Sequence, residues 1–185
     1  NQMMELSQKI ALDVSTFDQY ACSSPHTIFV KTKDKKIISD FANSLSKAME
    51  NVERILLPKV KETEEKSNEI ISTRSEYEIK GKVISSKNLS WTVIVSNEEG
   101  FAQPTFSRVV HVRPYNEKSI TLKDNRKIQS IGLAINDEER FDLVDKITFF
   151  GGDRCPSLGK MSFFDSPWDG MFGMDRMVRW ITTYK

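Results

Sequence analysis

"IISDFANSLSKAMENVERILL", residues 37–57, is the stretch from which the rest of the fold is read. Ile37, Ile38, Phe41, Leu45, Ala48, Met49, Val52, Ile55 and Leu56 recur at three- and four-residue spacings. That pattern lays one apolar stripe along a helix of about five turns. Pro58, which has no N–H to donate, ends or kinks it. A helix with a single apolar stripe needs a second layer to cover it, and the flanking sequence indicates what that layer is.

Upstream, "MMELSQKIALDVSTFDQY" places Met3, Leu6, Ile10, Val14 and Phe17 on one helical face. "SSPH" breaks that segment and "HTIFVK" reads as a short strand. Downstream of Pro58, "KVKETEEKSNEIISTRSE" is charged, with Val60, Ile70 and Ile71 as its few apolar anchors, and is expected to be a more solvated helix. From residue 77 the periods shorten. "YEIKGKVI", "LSWTVIVS", "FSRVVHVRP", "SITL", "KIQSIGLAI" and "KITFFGG" read as strands, with "KDNR" as a hairpin connection. Helices grouped ahead of strands imply an α+β fold: N-terminal helices packed on a largely antiparallel sheet of about six strands. The expected organisation is a mainly helical segment over residues 1–76 with one short strand, then a β-rich segment over 77–185, together forming one compact domain.

The stretch "FFGGDRCPSLGK", residues 149–160, invites comparison with a phosphate loop. Such a loop needs four residues between its glycines, then Lys and a hydroxyl for Mg²⁺. Here six residues separate Gly152 from Gly159, Pro156 removes an N–H, and Met161 follows Lys160. Spacing and chemistry both fail.

With 185 residues the chain is long enough to bury a core without staples. Its 27 Lys and Arg against 26 Asp and Glu lack the basic excess of a domain built to neutralise phosphates. The two cysteines, Cys22 and Cys155, form no metal or disulfide spacing. No apolar run reaches the length of a membrane span, and no signal-peptide pattern opens the chain. A cytoplasmic or virion-associated setting is expected. The carboxylates Asp153, Asp165, Asp169 and Asp175 suit turns better than a metal, so neither metal nor cofactor is expected.

Cys155 or Cys22 could act as a thiol nucleophile, with His111 or His26 as base, and Arg154 beside Cys155 would favour its thiolate. A strand histidine and a packing cysteine account for the same residues. A single-stranded nucleic-acid surface would draw on Trp91, Phe101, Phe106, Arg108, Arg113, Lys123, Arg126 and Lys127. The heaviest apolar concentration lies in the tail, in Phe163, Phe164, Trp168, Met171, Phe172, Met174, Met177 and Trp180. Methionines beside rigid aromatics serve adaptable contact surfaces, and they also serve a tail docked on a sheet. The neutral charge balance, the absence of a catalytic motif and the apolar tail together imply a non-enzymatic interaction or assembly domain, viral or otherwise. It would bind a protein partner or a second copy through those eight residues, with peripheral membrane contact and nucleic acid as alternatives.

Overall fold

The computed structural model describes residues 2–117, 128–168 and 170–184. It is α+β. Helix α1 (Gln2–Ser15) is followed by a 3-10 turn, strand β1 (Thr27–Val30), helix α2 (Lys35–Asn51), a π turn over Val52–Leu56 and helix α3 (Glu64–Lys80). Then come strands β2 (Lys82–Ser85), β3 (Thr92–Val95) and β4 (Val109–Pro114), and helix α4 (Asp137–Phe149).

The apolar stripe of residues 37–57 is buried from Ile38 to Val52, but Ile37, Ile55 and Leu56 stay exposed and the α-helix gives way to a π turn after Asn51. Asp34 caps α2 by accepting from the Lys36 N–H at 2.8 Å. Phe41, Ala42, Leu45, Ala48, Met49 and Val52 are buried with Ile10, Ala11 and Val14 of α1. The partners across the layer are Trp91, Val93, Val110 and Val112. Leu45 and Met49 are fully buried, each contributing roughly 1.5–3 kcal/mol from the area removed from water.

The sheet departs from the expected six antiparallel strands. It has four strands in the order β1-β4-β3-β2. β1 and β3 both run parallel to β4, and β2 alone is antiparallel, to β3. The connection over residues 96–108 explains the difference. It reads as a turn followed by a return strand, but it has the dozen or so residues that a parallel crossover needs.

Two further strand expectations fail for local reasons. "YEIK" completes α3, so β2 starts only after Gly81, whose backbone lies so close to the Val95 carbonyl that a Cβ would meet the oxygen at 2.0 Å. "KITFF" is the last part of α4. Asn136 caps that helix by accepting from Glu139 N–H at 2.9 Å, and Asp137, Glu138 and Glu139 complement its dipole. Those start signals outweigh the β-branched run. Leu143, Val144 and Ile147 then fall on one face and pack with Leu133 and Tyr115. "KIQSIGLAI" forms only single bridges, Ser130 to Arg154 and Leu133 to Ser157. "SITL" and the "KDNR" hairpin lie outside the described residues.

The opposite sheet face is covered differently. α3 buries little apolar surface, essentially Ile70, against Ile94 and Val109. Polar bonds take over. Arg74 donates to Thr92 Oγ1 at 2.9 Å, Ser86 O at 3.1 Å and Trp91 O at 3.0 Å, fastening the charged helix to the strands. No helix among the described residues is long and apolar enough to cross a membrane.

Candidate active site

α1 stops at Ser15, and the backbone then enters the left-handed region at three successive non-glycine residues: Phe17 (φ 55°), Asp18 (49°) and Gln19 (66°). A second such triplet precedes β4, at Phe106 (60°), Ser107 (58°) and Arg108 (60°). Each L-residue there costs roughly 1–2 kcal/mol, so side chains must hold the conformation. The triplets hold one another. Ser107 N–H donates to Asp18 O at 2.9 Å and Arg108 Nε to Asp18 Oδ1 at 2.5 Å. Gln19 Nε2 donates to Val109 O at 3.1 Å and to Pro25 O at 2.8 Å.

Arg108 is almost wholly buried, and its Nη1 also donates to Glu53 Oε2 at 2.7 Å and Leu57 O at 2.8 Å. Beside it, Lys59 Nζ donates to Leu89 O and Ser107 O, each at 3.1 Å, and pairs with Glu62 at 3.3 Å. Ser107 Oγ donates to the same Glu62 carboxylate. Burial pushes the Lys59 pKa down, and Glu62 opposes that shift.

Directly after the first triplet, Ser24 N–H bonds Ala21 O at 3.0 Å and closes a turn with Cys22 and Ser23 at its tip. The Cys22 thiol is exposed. Its own N–H has no hydrogen-bond acceptor among the described residues. Around the turn stand rings: Tyr20 stacks on Phe106 with centroids 5.5 Å apart, and His26 meets the Phe106 edge at 5.1 Å. Phe17 (61% exposed) and Tyr20 (55%), a few residues ahead of Cys22 in the chain, offer apolar surface to solvent. Ile55 and Leu56 add more on the segment that Arg108 ties to Asp18. The buried atoms Ser15 Oγ at the end of α1 and Gln19 Oε1, Ser24 Oγ and His26 Nδ1 in the loop lack partners. Burial lowers the His26 pKa, so the imidazole is neutral at pH 7.

Of the thiol–imidazole pairings considered, that of Cys155 with His111 is not formed. Cys155 packs half-buried against the cluster of Leu133 and Ile147. His111 lies on β4 against Tyr77, ring centroids 4.9 Å apart. Arg154 does not favour a Cys155 thiolate, because its guanidinium sits 3.8 Å over the Trp168 ring and donates to Met161 O and Phe163 O. Burial pushes the Cys155 thiol up, and Arg140, which donates to the Cys155 carbonyl, only partly opposes it. Burial, aided by Arg113, pushes the His111 pKa down to about 4. Both His111 nitrogens lack partners at the floor of a depression of about 500 Å³, which Thr73, Tyr77, Glu98, Phe101, Thr105 and Arg113 also line.

Of the residues named for a nucleic-acid surface, Trp91, Arg108 and Arg113 are buried; Arg113 pairs with Glu98 at 2.6 Å. Phe101 and Phe106 are half-buried, and Lys123, Arg126 and Lys127 lie outside the described residues. In the tail, Phe163, Phe164, Met171, Phe172, Met174, Met177 and Trp180 are exposed, and Trp168 is half-buried under Arg154. Among the described residues no group of His, Cys, Asp and Glu gathers to hold a metal ion. The Cys22 turn and its interlocked triplets were not singled out by any sequence motif. The remaining signal was "CSSPH", a lone thiol in a break between helix and strand.

No curated protein matches the chain. A family model described as acyl-CoA reductase (LuxC) matches residues 1–180. That match overturns the expected non-enzymatic, viral assembly domain. The chain belongs to the acyl-CoA reductase (LuxC) family, a family of enzymes.

Proposed function

We propose that Cys22 is the group that takes the acyl chain from a coenzyme A thioester, as the first step of its reduction. The observation that carries this reading is the contrast between the two thiols: Cys22 is exposed at a turn tip, whereas Cys155 is packed and its pKa is raised. The thiolate, not the thiol, is the nucleophile. The Cys22 proton leaves to solvent, its sulfur attacks the thioester carbonyl, and the bond from that carbon to the coenzyme A sulfur breaks. Coenzyme A departs as thiolate and takes up a proton. The acyl group is then a thioester of Cys22, and no electrons have been exchanged. The free Cys22 N–H, next to its own sulfur, is suited to stabilise the oxyanion formed during attack. Phe17, Tyr20, Ile55 and Leu56 offer apolar surface for the acyl chain.

Reduction of the thioester to an aldehyde takes a hydride and a proton, which a dinucleotide supplies in many enzymes. The described residues do not fit such a group. The connection from β1 to α2, Lys31–Asp34, has no glycine. The first turns of α3 and α4 carry Glu64 and Glu65, and Asp137, Glu138 and Glu139, which repel a pyrophosphate. No hydride step is assigned to this chain.

The test is to incubate the 185-residue chain with an acyl-CoA bearing an isotopic label in the acyl group, quench in acid and map the label by peptide mass. Label on the Cys22 peptide is expected, lost in Cys22→Ser and kept in Cys155→Ser. Label on Cys155, or none, sinks the assignment.

A further inference from the structure

We infer that Asp18 and Arg108 are positioning residues for acyl transfer: their ion pair holds the backbone that presents Cys22. The inference rests on the assignment of Cys22 as the acyl acceptor.

Among the described residues, seven non-glycine positions have positive φ, and six of them are the two triplets. Nothing in their side chains makes that backbone intrinsically favourable, except Asp18, whose type tolerates it. Two left-handed triplets that meet and bond each other therefore need a clamp. Arg108 supplies it from a buried position: Nε reaches Asp18 Oδ1 at 2.5 Å, and Nη1 reaches Glu53 Oε2 at 2.7 Å and Leu57 O at 2.8 Å. One guanidinium thus joins the turn before Cys22 to the segment Val52–Leu57, which bears the exposed Ile55 and Leu56. A lysine cannot replace it, since a point charge on a flexible stem lacks the fork that reaches several acceptors at once. If the clamp opens, the strained residues relax and the turn at 21–24 moves relative to the surface that seats the acyl chain. A displacement on the order of 1 Å at a reacting group can cost about a hundredfold in rate.

Two variants of Asp18 separate positioning from simple stability. Asp18→Asn keeps an oxygen acceptor for Arg108 and a residue type that accepts left-handed backbone. Asp18→Gly adopts that backbone without strain but removes the acceptor. The rate of Cys22 acylation by the labelled acyl-CoA is compared with the melting temperature of each. Asp18→Gly is expected to stay folded, with a lowered melting temperature, and to acylate at least about tenfold more slowly than the parent well below that temperature, and Asp18→Asn to stay within about threefold of the parent. Arg108→Lys is expected to follow Asp18→Gly. Parental acylation in folded Asp18→Gly overturns the inference. Should the parent itself acquire no label on Cys22, the functional assignment fails instead. Amide exchange over residues 20–24 then decides the clamp: faster exchange in Asp18→Gly supports it, and unchanged exchange overturns it.

Discussion

The two cysteine loops follow opposite construction rules. The Cys22 turn is held from behind, by a buried guanidinium and by left-handed backbone, so that its side chain faces outward. The Cys155 loop is held from in front. Asp13, a buried residue of α1, accepts from Gly159 N–H at 2.6 Å and from Met161 N–H at 3.1 Å. That draws residues 153–161 down, so Cys155 packs on Leu133 and Ile147. The same residue type serves as a nucleophile candidate in one loop and as core in the other. The difference lies in which side of the loop carries the polar anchors.

The widest separation between them is expected in thiol reactivity. At pH 7 iodoacetamide should alkylate Cys22 at least about tenfold faster than Cys155 in the folded chain, because burial withholds both thiolate and access. In denaturant the two should converge. Equal rates in the folded chain would erase the contrast.

Removing the anchor of the second loop is expected to cost less. Asp13→Ala leaves two backbone N–H groups without their acceptor, a loss of about 2 kcal/mol. Urea unfolding should report it, and amide exchange at Gly159 and Met161 should rise while the Cys22 turn stays protected. Loss of protection at both loops would show that they are not anchored independently.

The smallest effect expected is a pH slope from the sheet beneath the first loop, where His111 N–H donates to His26 O at 3.0 Å. His111 has a folded pKa of about 4 against 6.5 when free, so the unfolded chain binds more protons between those values. Its contribution to stability is fully present above pH 6.5 and declines as pH falls towards 4. Between pH 6.5 and 5.5 the loss should approach roughly 1 kcal/mol, and His111→Leu should flatten that part of the unfolding profile. A parent profile already flat there would mean His111 titrates normally.

How much of this was legible follows from how local each cause is. The α2 stripe, the break at Pro58, the short β1 and the solvated α3 could be read because spacing and breakers act within a few residues. The direction of β4 could not. Parallel and antiparallel returns have the same alternation, and only the path of residues 96–108 distinguishes them. α4 hid its helical nature behind Ile147, Thr148, Phe149 and Phe150, while its cap at Asn136 lay eleven residues upstream of Ile147. The candidate site was least legible. Asp18 and Arg108 stand 90 residues apart; Asp18 falls in no motif, and Arg108 reads as a nucleic-acid contact rather than a buried clamp. Cys22 was named as a possible nucleophile, but nothing in "QYACSSPH" shows that the backbone before it is left-handed.

That same separation of 90 residues sets an order of events during synthesis. α1 and the cysteine are made before Arg108, so the residues that give the turn its shape follow only when the start of β4 has been made. Contacts so distant in sequence close late in folding. Until then the pair that clamps the Cys22 turn cannot form. On the proposed role of Cys22, competence for transfer follows closure of the sheet, so labelling of Cys22 reports completed assembly of the domain.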